Sequence, residues 1–411
     1  MTGFEAPRGT HDILPAEQPL WRLVVREAER LCSLYGYRPI QTPGFEDTAL
    51  FQRTSGESSD VVQKEMYTFE DRGGRSLTLR PEGTAPIARA YLEHGLHREG
   101  QPVKLYTIAT MYRYAAPQRG RYREHWQLSV EAIGSADPAV DAELIQLYDE
   151  LLARLGVTDY QLLLNSIGDE NCRPAYLQRL TAWLDEHEDE LDEDALQKRA
   201  TNPLRVFDVK SPKVQEALVA APKIGDALCD ECQAHFEAVQ AHLDNYAVKY
   251  TLSPTLVRGL DYYTRTAFEF VDEAIGAQSS ILGGGRYDGL IAELGGPPTP
   301  GIGFGAGIER LLLSMEAAGV APERDELDVF VALEDANLKP RVLPLVLELR
   351  RRGVSAEVDY GGRSLKGQLT HARRLDARAI VEWGPEHSTI RRSGEPDEEV
   401  PTAELGERLK R

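Results

Sequence analysis

Four arginines, Arg113, Arg119, Arg121 and Arg123, crowd the stretch MYRYAAPQRGRYRE. Guanidinium forks suit phosphate and carboxylate groups, so this cluster points to an anionic ligand. The residues that follow, HWQLSVEAIG, alternate like a strand, with Gln127, Ser129 and Glu131 on one face and Trp126, Leu128, Val130 and Ala132 on the other. A half-exposed sheet accounts for that alternation but not for the arginines. In VRGLDYYTRTAFEF, read as an alternating strand, Arg258 stands close to Tyr262 and Tyr263. Two readings fit it: cross-strand packing, or an aromatic-walled pocket with a cation over it.

Glycines supply the next signal. Gly301, Gly303, Gly305 and Gly307 recur at every second position, which leaves one strand face without side chains. Either a flat ligand such as an aromatic base lies there, or another element packs closely. Arg310 opens the helix that follows. Gly283-Gly284-Gly285-Arg286-Tyr287-Asp288-Gly289 lacks the ending of a phosphate-binding Walker loop and reads as a turn or bulge.

The inventory holds arginines and carboxylates, with neither a Ser-His-Asp set nor an evident nucleophile. Such residues serve phosphoryl or nucleotidyl transfer by positioning and charge neutralisation, assisted by Mg²⁺. A substrate carboxylate can then itself attack the α-phosphate of ATP. Cys229-Asp230-Glu231-Cys232 is a single CxxC pair. Structural zinc sites use two such pairs or add histidines. Cys172 alone does not complete one and His235 sits in a helical run, so no metal is expected.

Several elements must position these residues. Leu20, Val24, Ala28, Leu31 and Leu34 share a helical face that stops at Gly36. A hairpin is expected around Asp71-Arg72-Gly73-Gly74, then a helix over 86–94. VKLYTIATMYRY and HWQLSVEAIG form a second hairpin with a loop of about ten residues, long enough to carry a binding role. Leu144 to Leu155 mark an amphipathic helix ended by Gly156, and YQLLLNSIG reads as a strand. Residues 176–200 hold eight acids and three bases, a solvated face in a helical region. After the linker PERDELD, short strands and helices alternate as in a small α/β domain.

With 411 residues the chain is long enough for two or three domains, and its net charge of −19 argues against nonspecific binding to nucleic acid or membrane. From Leu327 onward 15 basic residues balance 15 acidic ones, so residues 1–326 carry the whole charge. The start of the chain has no signal-peptide pattern, no run is long enough to span a membrane, and four cysteines are too few for a disulfide framework. A reduced, cytoplasmic protein is expected.

PRGTHDILP, TLRPEGTAPIARAY, the GRYRE to VEAIG hairpin, RGLDYYTRTAFE, GGGRYDGL, GIGFGAGIERL and GRSLKGQLTHA together resemble the class II aminoacyl-tRNA synthetases, and among them the histidine-specific family. The resemblance spans nearly the whole chain. It implies an α+β fold: an antiparallel sheet core flanked by helices (residues 1–169 and 251–320), a helical insertion (170–250) and a C-terminal α/β anticodon-binding domain (327–411). It implies ligation of L-histidine to tRNA(His) through a histidyl-adenylate, with ATP as substrate, Mg²⁺, and a homodimer. By the same resemblance Arg113 contacts the ATP α-phosphate, Arg310 the γ-phosphate and Arg121 the nucleotide, while Arg258 is the catalytic cation. Glu82, Gly83 and Thr84 face the amino group; Gln127, Glu131, Tyr262, Tyr263 and Tyr287 hold histidine. The family's usual Glu-Arg pair before the loop proline is here Ala115-Ala116, which removes a contact to adenine and one to the tRNA acceptor end. His125-Trp126 replaces a more usual Phe-His and reads as repacking. The alternative is a synthetase-like subunit that binds histidine and regulates ATP phosphoribosyltransferase.

Overall fold

The computed structural model describes residues 3–56, 59, 61–276, 279–321 and 327–409, and the chain divides into two compact units, Met1–Pro322 and Glu323–Arg411. In the first unit the strands are β1 (Arg38–Pro39), β2 (Phe45–Asp47), β3 (Tyr67–Glu70), β4 (Ser76–Leu79), β5 (Val103–Tyr112), β6 (Glu124–Ile133), β7 (Gln161–Ser166), β8 (Thr251–Leu252), β9 (Thr264–Val271), β10 (Ser280–Arg286) and β11 (Gly301–Gly307). Its helices are α1 (Gln18–Leu34), α2 (Thr48–Ser55), α3 (Thr84–Glu93), α4 (Pro138–Arg154), α5 (Arg173–Glu186), α6 (Glu193–Thr201), α7 (Pro212–Leu218), α8 (Asp230–Asn245), α9 (Leu290–Glu293) and α10 (Ile308–Ala317).

Eight of these strands form one sheet in the order β1-β5-β6-β11-β10-β9-β7-β8, antiparallel except at its two edges. The expected long hairpin is β5 and β6, paired without a break from Val103↔Ile133 to Tyr112↔Glu124. Its period-two pattern places Leu128, Val130 and Ala132 in the main apolar core with Phe268, Phe270, Ile302 and Phe304. Helices α1, α4, α8 and α10 cover that face through Val24, Leu31, Leu147, Leu151, Val239, Leu311 and Met315. Asp137 caps α4 by accepting from the Ala139 N–H at 2.9 Å, and Gly156 follows its end at φ +75°. Leu34, expected on the buried face of α1, is exposed, and Trp21 near the other end of the helix is buried in the core.

The opposite face of the sheet is polar, yet it is not wet. Ser129 and Glu131 are fully buried and Gln127 nearly so, because the segments around α3 and residues 258–263 roof them. Residues 67–79 form the second expected hairpin, and its strand β4 also pairs β2 to make a three-stranded sheet. The Gly283–Gly289 stretch, read as a turn or bulge, runs through central strand β10 with a β-bulge between Gly285 and Arg286, and turns at Asp288-Gly289. One expectation fails here: 258–263 is no strand, since β9 begins only at Thr264. Tyr262 and Tyr263 therefore point the same way, ring centroids 4.6 Å apart, where a strand would send them to opposite faces.

Helices α5–α7 pack on their own apolar cluster, which includes Tyr176, Leu180, Leu184, Val206, Val214 and Leu218. The acidic run is a solvated surface tied down by Arg199 to Asp185 and Glu188. In the second unit β12 (Val329–Leu333) pairs in parallel with β13 (Ala356–Val358) and β14 (Ala379–Trp383), and β15 (His387–Arg392) and β16 (Glu398–Pro401) extend the sheet antiparallel. Helices α11 (Lys339–Arg351) and α13 (Leu405–Arg408) cover one face and α12 (Leu365–Arg374) the other. Among the described residues no helix is long and apolar enough to cross a membrane.

Candidate active site

On the polar face of the sheet, strand β11 pairs with β6 so that Gly303, Gly305 and Gly307 lie opposite Glu131, Ser129 and Gln127. A Cβ at Gly303 would fall 1.7 Å from the Glu131 carboxylate, and one at Gly305 2.6 Å from the Gln127 amide. At Gly301 it would meet the Tyr287 ring at 2.2 Å. The glycine stripe thus seats the protein's own polar side chains, which is the close-packing alternative, and only Gly305 and Gly307 reach the cavity above. Strand β10 does the same: a Cβ at Gly283 would lie 1.6 Å from the Arg258 guanidinium, and one at Gly285 2.8 Å from the Tyr263 ring. Gly284, pointing the other way, makes room for Phe268 and Phe304 in the core.

Over this floor lies a cavity of about 320 Å³ lined, among others, by Glu82, Thr84, Arg113, Arg121, Gln127, Arg258, Tyr262, Tyr263 and Arg310. Three of the residues assigned to the site, Gly83, Glu131 and Tyr287, lie just behind its wall. Glu131 accepts from Thr84 Oγ1 at 2.7 Å and Tyr287 OH at 2.6 Å, and burial lifts its carboxyl to about 8. Gly83 packs on Ser129, whose Oγ would lie 2.4 Å from an added Cβ. Glu82 accepts from the Thr84 and Ala85 N–H groups at 2.5 and 2.9 Å and so holds the start of α3.

The four loop arginines separate. Arg123 stacks 3.8 Å over the Tyr114 ring, and its N–H donates to the Gly9 carbonyl at 2.7 Å, docking the PRGT segment on the loop. Arg119 pairs with exposed Glu316. Arg113 and Arg121 enter the cavity, steadied by the Pro81 carbonyl and by Glu65, both at 2.7 Å. Arg310 joins them from α10, donating to the carbonyls of Gly120 and Ser280 at 3.0 and 2.5 Å.

The electrostatic result is a cavity short of negative charge. Burial holds Arg310 below its ordinary value, and repulsion from Arg121 and Arg113 adds to this. His125, which the sequence presents as a packing change, lines the same cavity. Burial and then Arg113, Arg310 and Arg121 depress it to about 3, so it stays neutral. Glu309 was also missed: it lines the cavity, accepts from the Trp126 N–H at 2.8 Å, and is raised by burial to about 7. Its second oxygen, Oε2, is buried and has no hydrogen-bond partner among the described residues. His125 stands at the start of β6 two residues after Arg123, and Glu309 lies in the first turn of α10 directly before Arg310, so nearness in sequence to those arginines was the available signal. Arg258 is steadied by Glu269 at 3.5 Å, and Ala115 is buried in the cavity wall.

Away from this cavity, Cys172, Cys229 and Cys232 converge with Asp169, their donor atoms all within 4.8 Å of one another. Asp169 is the partner that counting cysteines and histidines does not find.

An antiparallel sheet that carries an arginine-lined cavity on its polar face, with the hairpin loop and the first turn of α10 supplying the cations, defines a class II aminoacyl-tRNA synthetase core. A family model described as "Histidyl-tRNA synthetase" matches residues 9–311. The chain is 48% identical over 378 residues to a protein named histidine–tRNA ligase from Halothermothrix orenii, covering 92% of this chain and 90% of that one. It is 50% identical over 381 residues to one of the same name from Desulforamulus reducens, covering 92% and 91%. The crystal structure of apo S. aureus histidyl-tRNA synthetase matches with a TM-score of 0.84 at 36% identity, covering 100% of both chains. The chain belongs to the histidyl-tRNA synthetase family and is an aminoacyl-tRNA synthetase.

Proposed function

We propose that this enzyme ligates L-histidine to tRNA(His) in two steps within the cavity above β6, β10 and β11. A carboxylate oxygen of histidine attacks the α-phosphorus of ATP, the bond to the β-phosphate bridging oxygen breaks, and pyrophosphate leaves. The terminal ribose hydroxyl of the tRNA then attacks the carbonyl carbon and AMP departs. The observation that carries this reading is the convergence of Arg113, Arg121 and Arg310 on one cavity where even His125 is held neutral. Three mutually repelling cations are stabilised by a polyanion, and a triphosphate supplies one.

In this reading Arg113 meets the α-phosphate, Arg310 the γ-phosphate, and Arg121 the nucleotide. Arg258 neutralises the charge that builds as the two anions meet. Gln127, Tyr262 and Tyr263 line the histidine end. Glu131, backed by Thr84 and Tyr287, accepts an imidazole N–H, while Glu82, Gly83 and Thr84 face the amino group. A pocket built of hydrogen-bonding groups rejects analogues that lack the matching donor. Mg²⁺ fits the same corner, where Glu309 with its unpartnered Oε2 would hold it; the ion, when bound, supplies further neutralisation of the phosphates.

Residues 327–411 serve as the anticodon-binding domain, supported by a concavity on α12 lined by Arg363, Lys366, His371 and Arg374. A homodimer is supported by the exposed aromatic pair Phe45 and Phe69, 6.3 Å apart on the small sheet. The enzyme works in the cytoplasm on this reading. Ala115-Ala116 favours the regulatory alternative, and the names borne by the 48–50% identical relatives favour the ligase.

Histidine-dependent ATP–pyrophosphate exchange followed by charging of tRNA(His) tests the proposal. Both activities are expected. Absence of exchange at saturating substrates would overturn it, and exchange without charging would leave a histidine-activating protein that is no ligase.

A further inference from the structure

We propose that Asp169, Cys172, Cys229 and Cys232 form a structural site for a thiophilic divalent cation of the zinc class. The donors come as two short pairs, D-x-x-C at the β7–α5 junction and C-x-x-C at the start of α8, with Cys172 and Cys232 60 residues apart in sequence. Sγ of Cys172 lies 3.9 Å from Sγ of Cys232, 3.6 Å from Asp169 Oδ1, and Asp169 Oδ1 lies 4.0 Å from Cys229 Sγ. A tetrahedron with metal–sulfur bonds of about 2.3 Å and metal–oxygen bonds of about 2.0 Å has edges of roughly 3.8 Å between sulfurs and 3.5 Å between sulfur and oxygen. These three distances are close to the edges of such a shell, the remaining pairs lie within 4.8 Å, and the Cys172 and Cys232 sulfurs are far beyond the ~2.05 Å of a disulfide.

The surroundings are built for anionic sulfur. The Asp169 N–H donates to Cys172 Sγ at 3.4 Å. Gly168 sits at φ +64°, and a Cβ there would fall 2.7 Å from that sulfur, so only glycine lets the backbone approach it. Cys172 and Cys229 are the residues at which α5 and α8 begin, which sets the positive ends of two helices at the cluster. Arg265 reaches Asp169 Oδ2 at 3.2 Å, a carboxylate oxygen that the shell does not use. On binding, three thiols release three protons, and the resulting net charge of 2− is offset by Arg265 and the two helix ends.

Three soft sulfurs and one carboxylate select zinc over magnesium or calcium. The position assigns the ion a structural role: it clasps the two ends of the segment that carries α5, α6 and α7, and none of its four donors lines the arginine cavity. That segment reaches the active site, because Asn202 Nδ2 donates at 2.9 Å to Asp261 in the loop bearing Arg258 and Tyr262.

Elemental analysis of the full chain, purified without chelator after expression with added zinc, tests the site. One zinc per chain is expected, four titratable thiols after denaturation in chelator, and, on replacement by Co²⁺, an intense tetrahedral d–d spectrum with thiolate charge transfer. The double variant Cys172→Ser/Cys232→Ser should lose the metal, and Cys32→Ser should keep it. If the double variant does not fold, the cobalt spectrum of the unaltered chain still decides. Substoichiometric zinc with no cobalt–thiolate bands, two titratable thiols instead of four, or full zinc in the double variant would each overturn the assignment.

Discussion

The guanidinium of Arg258 rests against the backbone of Gly283 so closely that a Cβ at Gly283 would fall 1.6 Å from Nη2. The neighbour that must yield is the end of a flexible side chain, so Gly283→Ala displaces the cation more than it disturbs strand β10. Overpacking of this kind costs about 1–3 kcal/mol. Loss of a transition-state cation costs roughly 10²–10³ in rate, by analogy with other charge-stabilising groups. Gly283→Ala is therefore expected to retain its fold by circular dichroism while pyrophosphate exchange drops about a hundredfold, and Arg258→Ala to abolish exchange. Exchange near the parent rate in Arg258→Ala would remove that residue from the catalytic role.

The arginine triad predicts an order of ligand stabilisation. ATP, AMP and adenosine, each at the same multiple of saturating concentration for ATP, should raise the melting temperature in the order ATP, then AMP, then adenosine. A ligand at 100 times its dissociation constant adds about 2.7 kcal/mol. In Arg310→Gln the advantage of ATP over AMP should shrink, since the cation assigned to the far phosphate is gone. An unchanged ATP–AMP difference would place the triphosphate elsewhere.

Glu131 predicts a pH dependence of stability. Its carboxyl is raised from 4.5 when unfolded to about 8 when folded, because burial penalises the charged form. Between these values the folded chain holds a proton that the unfolded chain has released. Stability therefore falls as pH rises through that window, by a few kcal/mol in order of magnitude, and levels off above about 8. Glu131→Gln should flatten the difference. Thermal unfolding of the ligand-free protein and the variant across this range measures it; parallel curves would mean that Glu131 is already ionised.

Arg286 marks the boundary between architecture and chemistry. Fully buried, it is paired with equally buried Asp141 through Nε at 3.2 Å and Nη2, and it donates to the Ser135 carbonyl at 2.9 Å. Thr266 Oγ1 donates to the same Asp141 at 2.6 Å. Breaking a buried pair leaves an uncompensated charge and costs about 3–5 kcal/mol. Asp141→Ala should lower the free energy of unfolding by that amount, read as a lower urea midpoint, while the histidine KM of the folded fraction stays within a few-fold. A large change in KM with an unchanged midpoint would make the pair part of the site.

Much of this was legible in the order of the residues. Alternation of polar and apolar residues over β6 encodes its two faces, because successive side chains of a strand must point oppositely. Four arginines in one loop announced an anionic ligand, since nothing else in an acidic chain calls for them. The strands β15 and β16 escaped because two buried residues in one, Ser388 and Ile390, and one in the other, Val400, are too few to set a period against a polar background.

The amino-acid order alone therefore determined the class of chemistry, the apolar and polar faces of the central hairpin, and the family motifs, all of which depend on residues close in sequence. Which glycines seat which side chains, which two loop arginines enter the cavity, and that Asp169 completes a set with three cysteines were decided by tertiary structure. Each depends on segments tens to hundreds of residues apart brought within a few ångströms. The register of β6, β10 and β11, set by burial of the sheet's other face, is what brings the active-site segments together.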